Sequence, residues 1–166
     1  MGGKVDMKKK LSKMLLGVLC LMLLSVGCSA KEEEKKEEEP QYADDSFVQD
    51  MSKGLQARWD LNAIDEQKEG YDEILVNSKE YQDMMISYID AELNEIEKYA
   101  EEKFENKNLQ EIAIKYINLL EKHKEICDYI TVDYDKYYGE FEPIYNERSK
   151  VIESMVKDYG MTVDEE

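Results

Sequence analysis

Apolar residues recur with the 3.6-residue period of an α-helix through most of the chain, in segments at positions 45–62, 78–103, 109–130 and 134–159. No segment keeps the two-residue alternation of a half-buried strand, and the sequence contains only two prolines. The breaks between the last three segments are short, which favours antiparallel neighbours. The pattern therefore predicts an all-α domain at positions 44–160, an up-and-down bundle of three to four helices.

Polar residues at the segment ends predict where these helices begin. Side-chain oxygens at a helix start accept bonds from N–H groups that have no partner inside the helix. Asp44 or Asp45 is therefore expected to cap the first helix, Ser78 the second and Asn108 the third. The longer connection at positions 64–77 is expected to add a short helical turn.

The fourth segment contains two residues that constrain a helix backbone. Pro143 removes one helical hydrogen bond, so the sequence predicts a kink or a fresh start near Glu142. Gly160 suits the position just past the helix end, with Met161 packing back onto it. An acidic tail at positions 161–166 completes the chain.

The first forty positions differ in composition from the rest. Residues 1–13 include five lysines and one aspartate, whereas residues 14–27 carry no charge. As a helix, the apolar stretch from Met14 to Val26 would rise about 20 Å, short of the roughly 30 Å hydrocarbon core of a bilayer. A basic start followed by a short apolar stretch is typical of a signal peptide, whether the start is Met1 or Met7.

The apolar stretch ends in the sequence LSVGC at positions 24–28, which resembles the lipobox of bacterial lipoproteins. The resemblance implies a signal peptide at 1–27, cleavage between Gly27 and Cys28, and a diacylglycerol on the Cys28 thiol. Ser25 departs from the commonest pattern, which has leucine there. Cys20 is the poorer cleavage site, because leucine precedes it where a small residue is needed. The alternative is an uncleaved membrane anchor.

Charge limits the partners of the exported part. Residues 28–43 are expected to form a disordered tether, because the run KEEEKKEEE offers nothing apolar to bury. The whole chain has a net charge of −17; without residues 1–27, 17 basic and 38 acidic residues remain, a net charge of −21. Such a surface repels nucleic-acid phosphates and anionic lipid. Nucleic acid is thus excluded, and membrane attachment is assigned to the diacylglycerol.

The sequence predicts no catalytic, cofactor-binding or metal site. Its single histidine, His123, precedes Cys127 by one helical turn, and the pair is interpreted as a core cysteine beside a boundary histidine. Zinc would need more His or Cys ligands than the chain offers. Asp133 and Asp135 resemble the start of a calcium loop, but Tyr138 stands where that loop needs glycine.

Tyrosine is the dominant aromatic residue, with twelve copies against three phenylalanines and one tryptophan. Tyr134, Tyr137, Tyr138 and Tyr145 cluster near the start of the fourth segment. A helix boundary suits tyrosine, because it buries the ring and leaves the hydroxyl in water. The alternative is a recognition surface for an envelope protein or a cell-wall glycan. Trp59 is expected in the core.

Lipobox, charged tether and tyrosine-rich acidic helices together resemble the small helical lipoproteins of Gram-positive, clostridium-like bacteria. The resemblance implies a lipid-anchored protein on the extracytoplasmic face of the cell membrane and no particular activity. We therefore expect a non-catalytic binding or structural module of the cell envelope. The alternative is an envelope enzyme or enzyme accessory, which would need carboxylates of raised pKa in a cleft.

Overall fold

A computed structural model of the chain describes residues 42–163. The predicted signal peptide, the cleavage and lipidation site at Gly27 and Cys28, nearly all of the tether and the last three residues of the tail lie outside the described residues.

Four helices form the domain, and they confirm the predicted all-α helical bundle. They are α1 at Asp44–Glu66, α2 at Lys79–Ile96, α3 at Lys107–Ile126 and α4 at Tyr134–Tyr159. Single 3₁₀ turns lie at Tyr71–Glu73, Glu97–Ala100 and Cys127–Tyr129. The first of these is the short turn expected within positions 64–77. Residues 42–163 contain no strand.

Successive helices are antiparallel, since early residues of one bind late residues of the next. Between α1 and α2, Asp50 binds Lys98 and Tyr99, whereas Asp65 binds Tyr88. The same reversal appears between α2 and α3 and between α3 and α4, in the bonds Gln82 to Cys127, Tyr116 to Glu92, Asn108 to Tyr159 and Lys115 to Glu147. Each helix thus packs beside its neighbour in the chain, as the short connections predict for α2, α3 and α4.

The starts of α2 and α3 are capped by side chains. Ser78 Oγ accepts the N–H of Tyr81 at 3.1 Å, which confirms the predicted cap of α2. The cap of α3 is Asn106 rather than Asn108, because the Asn106 side chain accepts the N–H groups of Asn108 and Leu109 at 3.0 and 3.2 Å. The third helix accordingly begins two residues earlier than expected.

The start of α1 is hydrogen-bonded to the connection between α2 and α3 and is not capped by its own aspartates. Neither Asp44 nor Asp45 caps α1, whose flanking residue Ala43 makes no side-chain bond. The Asp44 carboxylate instead accepts two backbone N–H groups of the α2–α3 connection, both at 2.9 Å. The N–H of Ala43 donates to the carbonyl of Lys103 at 2.9 Å. These bonds hold the first residues of the domain against the bundle.

Helix α4 runs unbroken through Pro143, so the expected fresh start near Glu142 is wrong. Pro143 cannot donate to the carbonyl of Gly139, but both residues are exposed, so water can solvate that carbonyl. The end of α4 follows the prediction: Gly160 has φ 67°, and the N–H of Met161 donates to the carbonyl of Met155 at 3.1 Å. Met161, assigned to the tail by sequence, is buried in the core.

Aromatic clusters fill both ends of the core. At one end, Phe47 lies edge-on to Tyr99 and Phe104, with ring centroids 5.3 and 5.8 Å away. At the other end, Tyr137 and Phe141 stack at 5.7 Å. Edge-on and offset rings are the arrangements that aromatic electrostatics favour. A layer of buried charge lies between the two clusters along the helices.

Candidate functional site

One charged or polar side chain from each helix meets in the buried layer. Glu92 of α2 is fully buried, and Arg148 of α4 donates to its two carboxylate oxygens at 2.8 and 2.6 Å. Arg58 of α1 donates to Glu92 Oε2 at 3.0 Å. Tyr116 of α3 donates its hydroxyl to Glu92 Oε1. We call these four residues the Glu92 cluster.

Arg148 and Tyr116 of the Glu92 cluster keep the protonated forms that donate to the carboxylate. Burial alone would lower the pKa of Arg148, but Tyr116 and Glu92 together raise it, so the guanidinium stays charged. Burial, followed by the Glu92 charge, raises the pKa of the Tyr116 hydroxyl, which therefore stays protonated and able to donate. Every oxygen of Glu92 has a donor, which is the condition for a tolerable buried carboxylate.

A glycine allows α1 and α2 to approach each other at this layer. A Cβ added to Gly54 would lie 3.0 Å from the carbonyl oxygen of Glu92 and 3.3 Å from its Cα. Both are backbone atoms, so the helices would have to separate to admit a side chain. Gly54 therefore sets the distance at which Arg58 reaches Glu92.

His123 and Cys127 are both buried, and neither is set up as a nucleophile pair. Burial, followed by Arg148 and Arg58, lowers the pKa of His123 to about 3, so the imidazole is neutral. Its Nε2 lies 3.3 Å from the Tyr137 hydroxyl, and its Nδ1 has no hydrogen-bond partner among residues 42–163. Burial raises the pKa of the Cys127 thiol to about 12, whereas thiolate chemistry needs a lowered value.

The sequence interpretation of this pair is correct for one residue and wrong for the other. Cys127 is a core cysteine, as expected, and its thiol donates to the carbonyl of His123 at 3.3 Å. His123 is fully buried rather than at the boundary. It occupies the inward side of α3 because Tyr137 and Phe141 of α4 cover its ring, with the Phe141 centroid at 4.9 Å.

Three carboxylates, those of Asp50, Asp65 and Glu147, have lowered pKa values. Burial alone would raise the pKa of Asp50, but bonds from Lys53, Lys98 and Tyr99 lower it. A bond from Lys68, with a second from Tyr88, lowers the pKa of Asp65.

Glu147 follows the same direction: bonds from Lys115 and Lys150 lower its pKa to about 2. Within residues 42–163 no group of three His, Cys, Asp or Glu side chains is placed to hold a metal ion. The Asp133 side chain, considered above for calcium, instead accepts the N–H of Lys136 and caps α4.

The four tyrosines for which a partner surface was the alternative interpretation separate into different environments. Tyr138 and Tyr145 are 56% and 54% exposed, and they are seven residues apart, so they lie on one side of α4. Tyr134 is half-buried against Tyr137, with ring centroids 5.7 Å apart. Tyr137 is only 2% exposed. Tyr137 therefore cannot contribute to a surface, because it belongs to the inward stripe of α4.

Tyr138 and Tyr145 form what we call the tyrosine face. Phe141 lies between them in the chain and is half-buried, with its ring centroid 5.8 Å from that of Tyr145 and 5.7 Å from that of Tyr137. The exposed Tyr145 thus rests on aromatic rings that continue into the core. A face supported in this way is rigid, which lowers the entropy lost when a partner binds.

Trp59 is exposed, contrary to the expectation of a core tryptophan. Its side chain is 38% exposed, whereas its neighbour Arg58 points inward to Glu92. Consecutive residues on a helix lie 100° apart, so Trp59 cannot share the inward side that Arg58 occupies. Arg58 therefore lies on the inward side of α1 and Trp59 outside it.

The sequence contained a signal for the Glu92 cluster. Glu92 lies three residues after Ile89 and four before Ile96, in the middle of an apolar stripe. Arg148 has the same placement between Ile144 and Val151. A charged residue on an apolar stripe predicts a buried charge that needs a partner.

No helix within residues 42–163 is long and apolar enough to cross a membrane. Comparison of the chain with known protein families, with curated proteins and with solved structures gives no match.

Proposed function

We propose that this chain is a lipid-anchored protein of the extracytoplasmic membrane face, whose helical bundle is a non-catalytic binding or structural module of the cell envelope. The anchor rests on the sequence LSVGC at positions 24–28 and the basic, then apolar, stretch before it. A diacylglycerol on Cys28 supplies two acyl chains, enough for stable membrane attachment.

The tyrosine face is the observation that supports a binding role for the bundle. Tyr138 and Tyr145 expose more than half of each side chain although the core below them is closed. Tyrosine offers a large ring and a hydroxyl at low entropic cost, and it is enriched at sites that dominate binding energy. The partner is an envelope protein or a cell-wall glycan, since both present groups that tyrosine can stack on and hydrogen-bond.

The anchor is tested by intact mass and membrane fractionation of the native chain beside Cys28→Ser. We expect the native form to lack residues 1–27, to gain the mass of a diacylglycerol and to sediment with membranes. Cys28→Ser should keep residues 1–27 and gain no lipid mass. Cys20→Ser is the matched control and should behave like the native chain. If both variants fractionate like the native chain at full length, the cysteine is not lipidated and the proposal of an anchor fails.

The binding surface is tested by photocrosslinking in cells from a benzophenone amino acid at position 145. The same group at Asn94, an exposed position on α2, is the control. A product that forms from 145, is absent from 94 and is lost in Tyr138→Ser supports the tyrosine face. Analysis of the product distinguishes protein from glycan. Equal crosslinking from both positions, or none from either, would contradict a binding role for this face.

A further inference from the structure

A second feature of the surface is a groove between the last turns of α1, the turn at Tyr71–Glu73 and the first turns of α2. Its volume is about 600 Å³, and its apolar lining comes from Leu61, Tyr71, Ile74 and Met84. All four side chains are partly buried, so they form a floor rather than an isolated patch.

The rim of this groove is acidic. Three carboxylates, Asp65, Glu80 and Asp83, line it together with one lysine, Lys68. Residues 65–83 contain seven acidic and two basic residues, a net charge of −5. Lys68 binds Asp65, and Lys79 binds Asp83 across one helical turn, whereas Glu80 has no ion-pair partner among residues 42–163. Both side chains of the Lys79–Asp83 pair are exposed, so the pair is weak and a cation of a partner can replace Lys79.

Apolar residues at the edge of the groove remain uncovered. The chain continues from Ile74 to Leu75 and Val76, which are 68% and 49% exposed. Three consecutive apolar residues are unusual in a surface loop, and exposed apolar groups beside a polar rim mark interaction sites. We call the floor, the rim and this edge together the acidic groove.

We propose that the acidic groove binds a cationic, amphipathic segment of a protein partner. Apolar side chains of the segment would occupy the floor and cover Leu75 and Val76. Its lysines or arginines would face Glu80 and Asp83. Charge selects this occupant: anionic lipid and nucleic acid are repelled by the same rim. The inference rests on the proposed function only in that the bundle is a binding module, and it concerns a surface separate from the tyrosine face.

The test uses the full chain in phosphatidylcholine nanodiscs, with three synthetic 18-residue peptides as probes. One alternates leucine and lysine with a helical period, the second replaces each lysine by glutamate, and the third replaces each leucine by serine. Affinity is measured at low and at physiological salt, with empty nanodiscs as the blank. Only the leucine–lysine peptide combines both properties that the groove requires.

Two groove variants and one matched control locate the binding. Glu80→Lys with Asp83→Lys reverses the rim, and Leu75→Ser with Val76→Ser changes the edge. The second pair lies in an exposed loop and keeps the helix start intact. Glu121→Lys with Glu125→Lys, two exposed positions on α3, changes the net charge of the chain as much as the rim reversal does.

The proposal requires that each groove variant weakens binding of the leucine–lysine peptide at least tenfold, and that the α3 control changes it less than twofold. Equal weakening by the control would mean nonspecific attraction to an acidic chain and would overturn the proposal. So would absence of binding, or binding of the lysine–serine peptide with the same affinity. Binding of the full chain to anionic vesicles through Leu75 and Val76 would also overturn it, since the occupant would then be a membrane.

Failure of this proposal is distinguishable from failure of the proposed function. Cys28→Ser removes the anchor and Tyr138→Ser alters the tyrosine face, and neither residue lines the acidic groove. Both variants should therefore bind the leucine–lysine peptide like the native chain.

Discussion

Replacement of Glu92 by glutamine is expected to be the most destabilising change of a single charge in this domain. Glu92 is fully buried and holds Arg148 through two bonds and Arg58 through one. Glutamine keeps the shape of the side chain but removes its charge, and its NH₂ group faces guanidinium donors. Two cations then share the core without an anion.

The size of the stability loss follows from the two cations, Arg148 and Arg58, that Glu92→Gln leaves without an anion. Removing one partner of a buried ion pair costs about 3–5 kcal/mol, because the remaining charge stays in a poorly solvating interior. The side chains of Arg148 and Arg58 are only 6% and 16% exposed, so most of each is shielded from water. At about 4 °C for each kcal/mol, the midpoint of thermal unfolding should fall by roughly 10–20 °C.

Urea unfolding of the full chain, followed by circular dichroism at 222 nm, measures the loss. Glu121→Gln is the matched control, because it removes the same charge from an exposed position on α3 and should change stability by less than about 0.5 kcal/mol. Glu92→Gln with Arg148→Met should cost less than the two single changes added together, since it removes an orphaned cation. A loss below about 1 kcal/mol for Glu92→Gln would refute the reasoning, because it would mean that the cations find solvent or other partners.

Three further predictions concern other residues of the core. In the unfolded chain His123 has its ordinary pKa of 6.5, whereas in the folded chain its pKa is about 3. The contribution of neutral His123 to the free energy of unfolding is therefore fully present above pH 6.5 and is lost as the pH falls toward 3. Because the chain has one histidine, the free energy of unfolding should fall between pH 6.5 and 5 with a slope approaching about 1.4 kcal/mol per pH unit. His123→Gln should flatten this slope. An unchanged slope in the variant would contradict a lowered pKa for His123. Gly54→Ala should destabilise the domain by about 1–3 kcal/mol, because the added Cβ forces α1 away from α2. At Gly139 an added Cβ meets nothing within 4 Å, so Gly139→Ala should stabilise the domain by up to about 1 kcal/mol. Equal effects of the two variants in chemical unfolding would contradict a close approach of α1 and α2 at Gly54. In a variant with Cys20→Ser and Cys28→Ser, Cys127 should react with a thiol reagent only after unfolding. Its side chain is buried, and the pKa of its thiol is raised to about 12. Rapid labelling of the folded chain would contradict burial of Cys127.

Much of the fold is predictable from local patterns in the sequence. Apolar residues three and four apart mark all four helices, and α4 has the predicted bounds of Tyr134 and Tyr159. Ser78 and Gly160 act through bonds within a few residues, so local chemistry suffices to predict them. Asp44 was misread for the opposite reason: its partners lie about sixty residues away, in a connection whose position depends on the whole bundle.

The candidate sites depend on tertiary geometry to a greater degree. The sequence offered two interpretations for Tyr137, a helix boundary and a partner surface, whereas packing against His123 places it in the core. Trp59 was misassigned because the sequence does not show that Arg58 turns inward to reach Glu92 on another helix. The acidic groove combines residues from α1, the loop and α2, so no single segment reveals it.

The Glu92 cluster explains why this bundle has one arrangement although its apolar stripes are chemically alike. Leucine, isoleucine and methionine stripes tolerate a shift of one turn, since most apolar contacts reform with another partner. Glu92 does not tolerate it, because Arg58, Tyr116 and Arg148 come from three different helices and must reach one carboxylate together. A shift of any helix would leave a buried charge unpaired, and such polar contacts are known to fix register in helical assemblies. We infer that the cluster fixes the height of α4 along the bundle, so the position of Tyr138 and Tyr145 relative to the other helices depends on Glu92 of α2.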